Sequence, residues 1–228
     1  MPGECRSVQL QAVLFDLDGL LVDSEPEWFE VEAEMFERLG ATRAWTHADA
    51  HALVGKALVV SAAHIVSEAG SSVPATVVAD RLVTAMPQRF ARGVPWKPGA
   101  LELLAELESR GIGVAVVSSS YRRLVDAVLA HLPAGIVGTS VAGDEVARGK
   151  PDPDPYLRAL TSLGVVAERT VVLEDSPTGA TAGAAAGCTV VLVPDLAPLP
   201  NTHTWHVVPS LATLSVDGMA SLLGGDRA

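Results

Sequence analysis

Four short apolar runs, each ending on polar residues, constrain the fold of this 228-residue chain more than any other feature. Ala12-Val13-Leu14-Phe15 runs into Asp16, and Gly113 to Val117 runs into Ser118. Thr170 to Leu173 runs into Glu174-Asp175, and Thr189 to Val193 runs into Pro194-Asp195. None alternates polar with apolar residues as a half-exposed strand would, and all are rich in β-branched side chains. They therefore read as strands of a parallel sheet buried on both faces. Helical patterns fill the intervals. Leu101, Leu104 and Leu107 share one face and Gly111 follows them. Ser176-Pro177 opens an Ala-rich segment that stops at Gly187: a capping Ser, Pro at the first helical position and Gly past the end. The predicted architecture is α/β, a Rossmann-like three-layer core with a parallel sheet covered by helices.

Residues 24–92 break this rhythm, because no strand pattern occurs there. Ser24 with Glu27 suggests a capping box, and Trp28, Val31, Met35 and Leu39 fall on one helical face that Gly40 ends. Helical stretches are also predicted over Ala57 to Ala69 and Ala75 to Phe90. The expected division is a core of residues 1–22 and 94–228, interrupted by an all-helical unit over 23–93. The Pro- and Gly-bearing stretch from Gly93 to Gly99 returns the chain to the sheet as a candidate hinge.

Composition narrows the range of partners. Hydrophobic residues make up 49% and charged residues 19%, which supplies a sizeable core and excludes a disordered chain. The formal net charge of -11, with 16 scattered basic residues, repels nucleic acid and anionic membranes. Two cysteines, Cys5 and Cys188, make no disulfide framework, and Cys188 reads as a small buried hydrophobe. The segment from Met1 to Gln11 lacks the apolar run of a secretory signal, and no stretch reaches the ~18 apolar residues of a membrane span. The expectation is a cytoplasmic monomer acting on a small molecule.

Ligands of an open parallel sheet bind beyond the carboxyl ends of its strands, where the strand order reverses. Here those ends carry Asp16 with Asp18, then Ser118, then Glu174 with Asp175. The run from Asp16 to Glu25, then Ser118, then Gly149-Lys150-Pro151-Asp152-Pro153, then Glu174 to Gly179, resembles the haloacid dehalogenase superfamily in order and over essentially the whole chain. Within it the chain is similar to the sugar-phosphate phosphatases and β-phosphoglucomutases that carry a helical cap after the first motif.

That resemblance implies a Mg²⁺-dependent phosphatase acting on small phosphate monoesters, sugar phosphates above all, through an aspartyl-phosphate. Phosphate monoesters resist hydrolysis strongly enough to need accelerations of up to ~10²¹-fold, and a carboxylate nucleophile divides the reaction into two easier displacements. Asp16 is the implied nucleophile. Asp18, two residues on, is the implied general acid and base. Asp16, the backbone carbonyl of Asp18, and Asp175 are the implied Mg²⁺ ligands, with Glu174 helping directly or through water. Ser118 and Lys150 are the implied catalytic partners of the phosphoryl group, through a hydroxyl and a point charge. Gly19, Ser119 and Ser120 complete the implied phosphate-binding set.

In the family the cap closes over the core and selects the substrate. Leu53-Val54-Gly55-Lys56 resembles its specificity loop, so Lys56 either meets a substrate hydroxyl or anion, or is a solvated surface lysine. The His near Trp28 and the Arg near Lys56 that mark the phosphoglucomutases have no counterpart here, which favours hydrolysis. A phosphomutase and a non-catalytic binding module on the same scaffold are the alternatives. Dehalogenation is disfavoured by the presence of Asp18. His203 and His206, in a Pro-flanked and loop-like region, are too few ligands for zinc.

Overall fold

The computed structural model describes residues 9–53, 56, 58–196, 199–200 and 204–223. Among them a six-stranded, all-parallel sheet is formed by β1 (Ala12–Phe15), β2 (Gly113–Val117), β3 (Thr139–Val141), β4 (Thr170–Glu174), β5 (Thr189–Leu192) and β6 (His206–Val207). The order is β3-β2-β1-β4-β5-β6. β1 therefore lies at the centre, pairing with β2 on one side and β4 on the other, with Phe15 level with Val116 and Leu173. From β1 the chain steps to β2 and β3 on one side, then returns to β4 on the other, and the crevice that opens where strand order reverses lies at the carboxyl ends of β1 and β4.

The four predicted apolar runs are β1, β2, β4 and β5. β3 and β6 were not legible. β3 is three residues long with polar Thr139 and Ser140, and β6 is a two-residue, exposed edge strand. His206, expected in a loop, belongs to β6; His203 lies outside the described residues.

The chain divides into two compact units, residues 1–23 with 96–228, and residues 24–95. The second unit is helical: α1 (Glu25–Arg38), α2 (His47–His51), α3 (Leu58–Glu68) and α4 (Ala75–Phe90). Its core is formed by Val31, Met35 and Phe36 of α1, Ile65 of α3, and Leu82 and Met86 of α4. The capping box expected at Ser24 does not form. Ser24 has helical backbone angles (φ −82°, ψ −12°) and makes no side-chain capping bond, whereas a capping side chain reaches back from an extended residue. Thr46 meets that condition before α2: its hydroxyl accepts from the Asp49 N–H at 3.3 Å, and its own N–H donates to the Asp49 carboxylate at 2.8 Å.

The first unit carries the remaining helices, α5 (Ala100–Ser109), α6 (Arg122–Leu129), α7 (Asp154–Leu163), α8 (Pro177–Ala185) and α9 (Val216–Leu222). α7 and α8 cover one face of the sheet, where Ala12, Leu14, Val117, Val172 and Val190 pack on Tyr156, Ala159 and Ala182. Side chains alternate along each strand, so Val13, Phe15, Val116 and Leu173 point to the opposite face. The α5 stripe differs from the expected one. Ala100, Leu103, Leu104 and Leu107 are buried, while Leu101 is 42% exposed. Steps of three residues drift by about 60° around a helix, so Leu101 stands about 120° from Leu107, and the buried face follows the i, i+3, i+4, i+7 spacing of Ala100, Leu103, Leu104 and Leu107. α8 follows expectation: the Ser176 hydroxyl accepts from the Gly179 N–H at 3.1 Å, with Pro177 at the first position.

One buried acid in the helical unit has a measurable consequence. Glu32 is 7% exposed, and its Oε2 accepts a hydrogen bond from the Trp45 indole N–H at 3.2 Å. Burial raises its pKa from 4.5 to about 7, against the opposing indole bond. A raised carboxyl pKa favours the folded state fully below pH 4.5, and that contribution is lost as pH rises through about 7. Glu32→Gln keeps the acceptor and removes the charge. Urea denaturation should show equal stability of variant and wild type at acid pH. Above neutrality the variant should be more stable by about 2 kcal/mol.

Candidate active site

The site grows from the end of β1. Asp16 extends the strand by one residue, donating its N–H to the Leu173 carbonyl at 3.0 Å. The chain then folds back, with the Leu21 and Val22 N–H groups donating to the Leu17 carbonyl and Gly19 N–H to that of Val22. Gly19 sits at φ +84°, a conformation that side-chain-bearing residues rarely adopt. A Cβ there would also collide with the Asp175 carboxylate, so only glycine lets β1's loop and the acid after β4 come this close.

Lys150 is the centre of the constellation. Its side chain is 5% exposed. Its ammonium donates to Asp16 Oδ1 and Glu174 Oε1, each at 2.5 Å, and to the Val117 carbonyl at 2.8 Å. The three donor positions of the ammonium thus tie together the ends of β1, β2 and β4. Burial by itself would lower the lysine's pKa, but the Asp16 and Glu174 carboxylates hold it above its usual value, so the charge is retained. The peptide bond between Lys150 and Pro151 is cis.

Glu174 is fully enclosed. Besides Lys150, its Oε1 accepts from the Tyr156 hydroxyl at 2.6 Å, and its Oε2 from the Ser176 hydroxyl at 3.2 Å. A Cβ on Gly179 would occupy the space of this carboxylate, which explains glycine in the first turn of α8. Tyr156 escaped the sequence reading. Burial and the adjacent Glu174 push its phenol well above 10, so it remains a donor. The signal available was a tyrosine on the apolar stripe of a helix, whose polar tip needs a buried partner.

Asp18 lies in the loop after β1, where its Oδ2 accepts from the Ser120 hydroxyl at 2.8 Å and the Ser118 hydroxyl at 3.3 Å. Ser118 directly follows β2, and α6 begins four residues later at Arg122. The Ser118 N–H donates to the Val141 carbonyl and the Ser120 N–H to Ser118 Oγ, so these two amides are engaged within the protein. Ser119 is exposed. Lys56 is exposed in the helical unit, its N–H donating to the Leu53 carbonyl, while Val54 and Gly55 lie outside the described residues.

The donor set suits a hard divalent cation. Oxygens of Asp16, Glu174 and Asp175 all lie within 4.8 Å of one another. Burial, countered in part by Lys150, pushes Asp16 well above the ordinary carboxylate range, with repulsion from Glu174, Asp175 and Asp18 adding to it. Burial and the Glu174 charge raise Asp175 to about 8. One ammonium does not neutralise this many enclosed acids, and oxygen donors with excess negative charge are what Mg²⁺-like ions bind.

A parallel sheet with this strand order, bearing an acid cluster and a buried lysine at its switch point, defines a Rossmann-like α/β domain whose site is built from carboxylates. Residues 10–187 match the haloacid dehalogenase-like hydrolase family. Hexitol phosphatase A of Escherichia coli is 34% identical over 203 residues, covering 88% of this chain and 91% of the relative. A phosphorylated carbohydrates phosphatase of Thermotoga maritima is 33% identical over 180 residues, covering 78% and 82%. The solved structure of CbbY from Rhodobacter sphaeroides in complex with phosphate superposes with a TM-score of 0.82 at 27% identity, over 92% of this chain and 99% of the other. The chain belongs to the haloacid dehalogenase-like hydrolase family, and it is a phosphoric monoester hydrolase.

The Tyr156 bond offers a direct test of how the site is braced. Tyr156→Phe removes one donor to a buried carboxylate while leaving Lys150 and Ser176 in place. It should destabilise the protein by about 1.5–3 kcal/mol in urea denaturation.

Proposed function

We propose that the chain hydrolyses phosphorylated carbohydrates with Mg²⁺ through an aspartyl-phosphate on Asp16. The observation that carries this reading is the buried triad of Asp16, Lys150 and Glu174, with Asp175 beside it. Asp16 stands at the end of a rigid central strand, and Lys150 holds its Oδ1, which orients the carboxylate for attack on phosphorus. As the bond from Asp16 to phosphorus forms, the bond from phosphorus to the substrate oxygen breaks. Asp18 gives that leaving oxygen a proton. It then takes a proton from the water that displaces phosphate and restores Asp16. The Ser118 and Ser120 hydroxyls fix the Asp18 carboxylate for both tasks. Ser118, Ser119, Ser120 and Gly19 line the phosphate side, and the Lys150 ammonium offsets charge on the transferring group.

Asp16, Asp175 and the Asp18 carbonyl would hold the cation. Glu174, engaged by Lys150, Tyr156 and Ser176, supports them from behind. The bound Mg²⁺ would supply electrostatic stabilisation of the phosphoryl oxygens. The sugar class is supported by the relatives, among which are a hexitol phosphatase and a phosphorylated carbohydrates phosphatase. CbbY has also been solved with xylulose-(1,5)bisphosphate. The helical unit over residues 24–95 is proposed as the substrate-selecting cap, with Lys56 a candidate contact.

Turnover of a panel of hexose, pentose and hexitol phosphates with and without Mg²⁺ tests the assignment. Release of phosphate from at least one sugar phosphate, dependent on Mg²⁺, is expected, and inactivity on every member would overturn it. Asp16→Asn should abolish turnover. Asp18→Asn should lower kcat by about 10²–10⁴-fold with substrate binding retained.

A further inference from the structure

Asp195 is absent from every role assigned so far, yet it stands at the same edge of the sheet. It follows β5 by three residues, and β5 pairs directly with β4, whose end presents Glu174 and Asp175. Its Oδ1 accepts from the Lys97 ammonium at 2.9 Å, with both side chains about three-quarters buried. Its other oxygen faces the site. The position a Cβ would take on Gly19 is 3.2 Å from Asp195 Oδ2 and collides with Asp175 Oδ2, so the two carboxylates approach each other across a bare Cα. Lys97 is held in turn: its N–H donates to the Leu21 carbonyl at 2.9 Å, beside the antiparallel bridge between Val22 and Trp96.

We propose that Asp195 is a positioning residue for the cation site, contributing negative charge behind Asp175 that Lys97 partly offsets. This inference rests on the Mg²⁺ reading above. Asp195 lies outside the group whose oxygens converge within 4.8 Å, so it acts on the ion through Asp175 and the local field rather than as a ligand. An acid placed against another acid would weaken the fold if stapling β5 to the Lys97 segment were its only task. Next to a divalent cation the same charge is favourable, and the Lys97 partner sets how much of it the ion experiences.

The two roles separate by the sign of two substitutions. Mg²⁺ affinity is measured by isothermal titration calorimetry on the full chain, at one pH and ionic strength, without substrate. Asp195→Asn keeps an acceptor for Lys97 but removes the charge, and should weaken Mg²⁺ binding about tenfold. Lys97→Gln keeps a donor to Asp195 and removes the offsetting charge, and should tighten Mg²⁺ binding by roughly threefold. Opposite shifts support the proposal. Unchanged affinity in both, or weakening in both, overturns it in favour of a structural staple. Should Asp195→Asn not fold, Lys97→Gln decides alone: tightening supports the proposal and anything else overturns it. If the wild-type chain itself binds no Mg²⁺, the cation reading fails before either variant is considered.

Discussion

A buried ammonium shared between two carboxylates organises this molecule's chemistry. Lys150 touches the ends of three strands at once, through Asp16, Glu174 and the Val117 carbonyl. Taking such charges out of water costs several kcal/mol per ion, and the cost is recovered only when geometry is close and the remaining lone pairs are satisfied. Here they are. Tyr156 and Ser176 fill the rest of Glu174, and the described residues contain no buried polar side-chain atom without a partner. Removing Lys150 would leave Asp16 and Glu174 facing each other in a near-dry pocket, which no local rearrangement of rigid strand ends relieves.

The same pocket holds more acid than Lys150 balances. Burial raises both Asp16 and Asp175, so the fold on its own favours protons there. Acids enclosed in this way cost the fold stability, a trade that functional sites commonly make. The surrounding scaffold absorbs that conflict. β1 and β4 are buried on both faces, and the two glycines at 19 and 179 admit carboxylates where any side chain would exclude them. The helical unit has a separate core and, among its described residues, a single buried acid, Glu32, satisfied by Trp45.

Much of this was legible in the chain. The unbroken apolar runs declared β1, β2, β4 and β5, because a strand buried on both faces needs no polar alternation. α8 was marked at both ends by Ser176, Pro177 and Gly187. The failures share a cause. β3 and β6 owe their existence to pairing with a neighbour that is already formed, and their own residues carry little preference. Ser24 has the composition of a cap but the backbone angles of a helix. Leu101 looked inward because it stands three residues from Leu104, but steps of three drift about 60° each around a helix and carry it off the buried face.

The order of acids at the strand ends was determined by the sequence alone, since a residue that follows an apolar run must emerge at that strand's carboxyl edge. Which ends become neighbours was decided only in three dimensions. Asp16 and Lys150 are 134 positions apart, and Lys97 and Asp195 are 98 apart. Their meeting depends on a strand order that no local pattern specifies. Tyr156 acquired its partner, and Gly19 and Gly179 their necessity, only when the sheet brought β1, β4 and β5 side by side. Local chemistry chooses the elements, whereas contacts across such separations are set by how the whole chain packs.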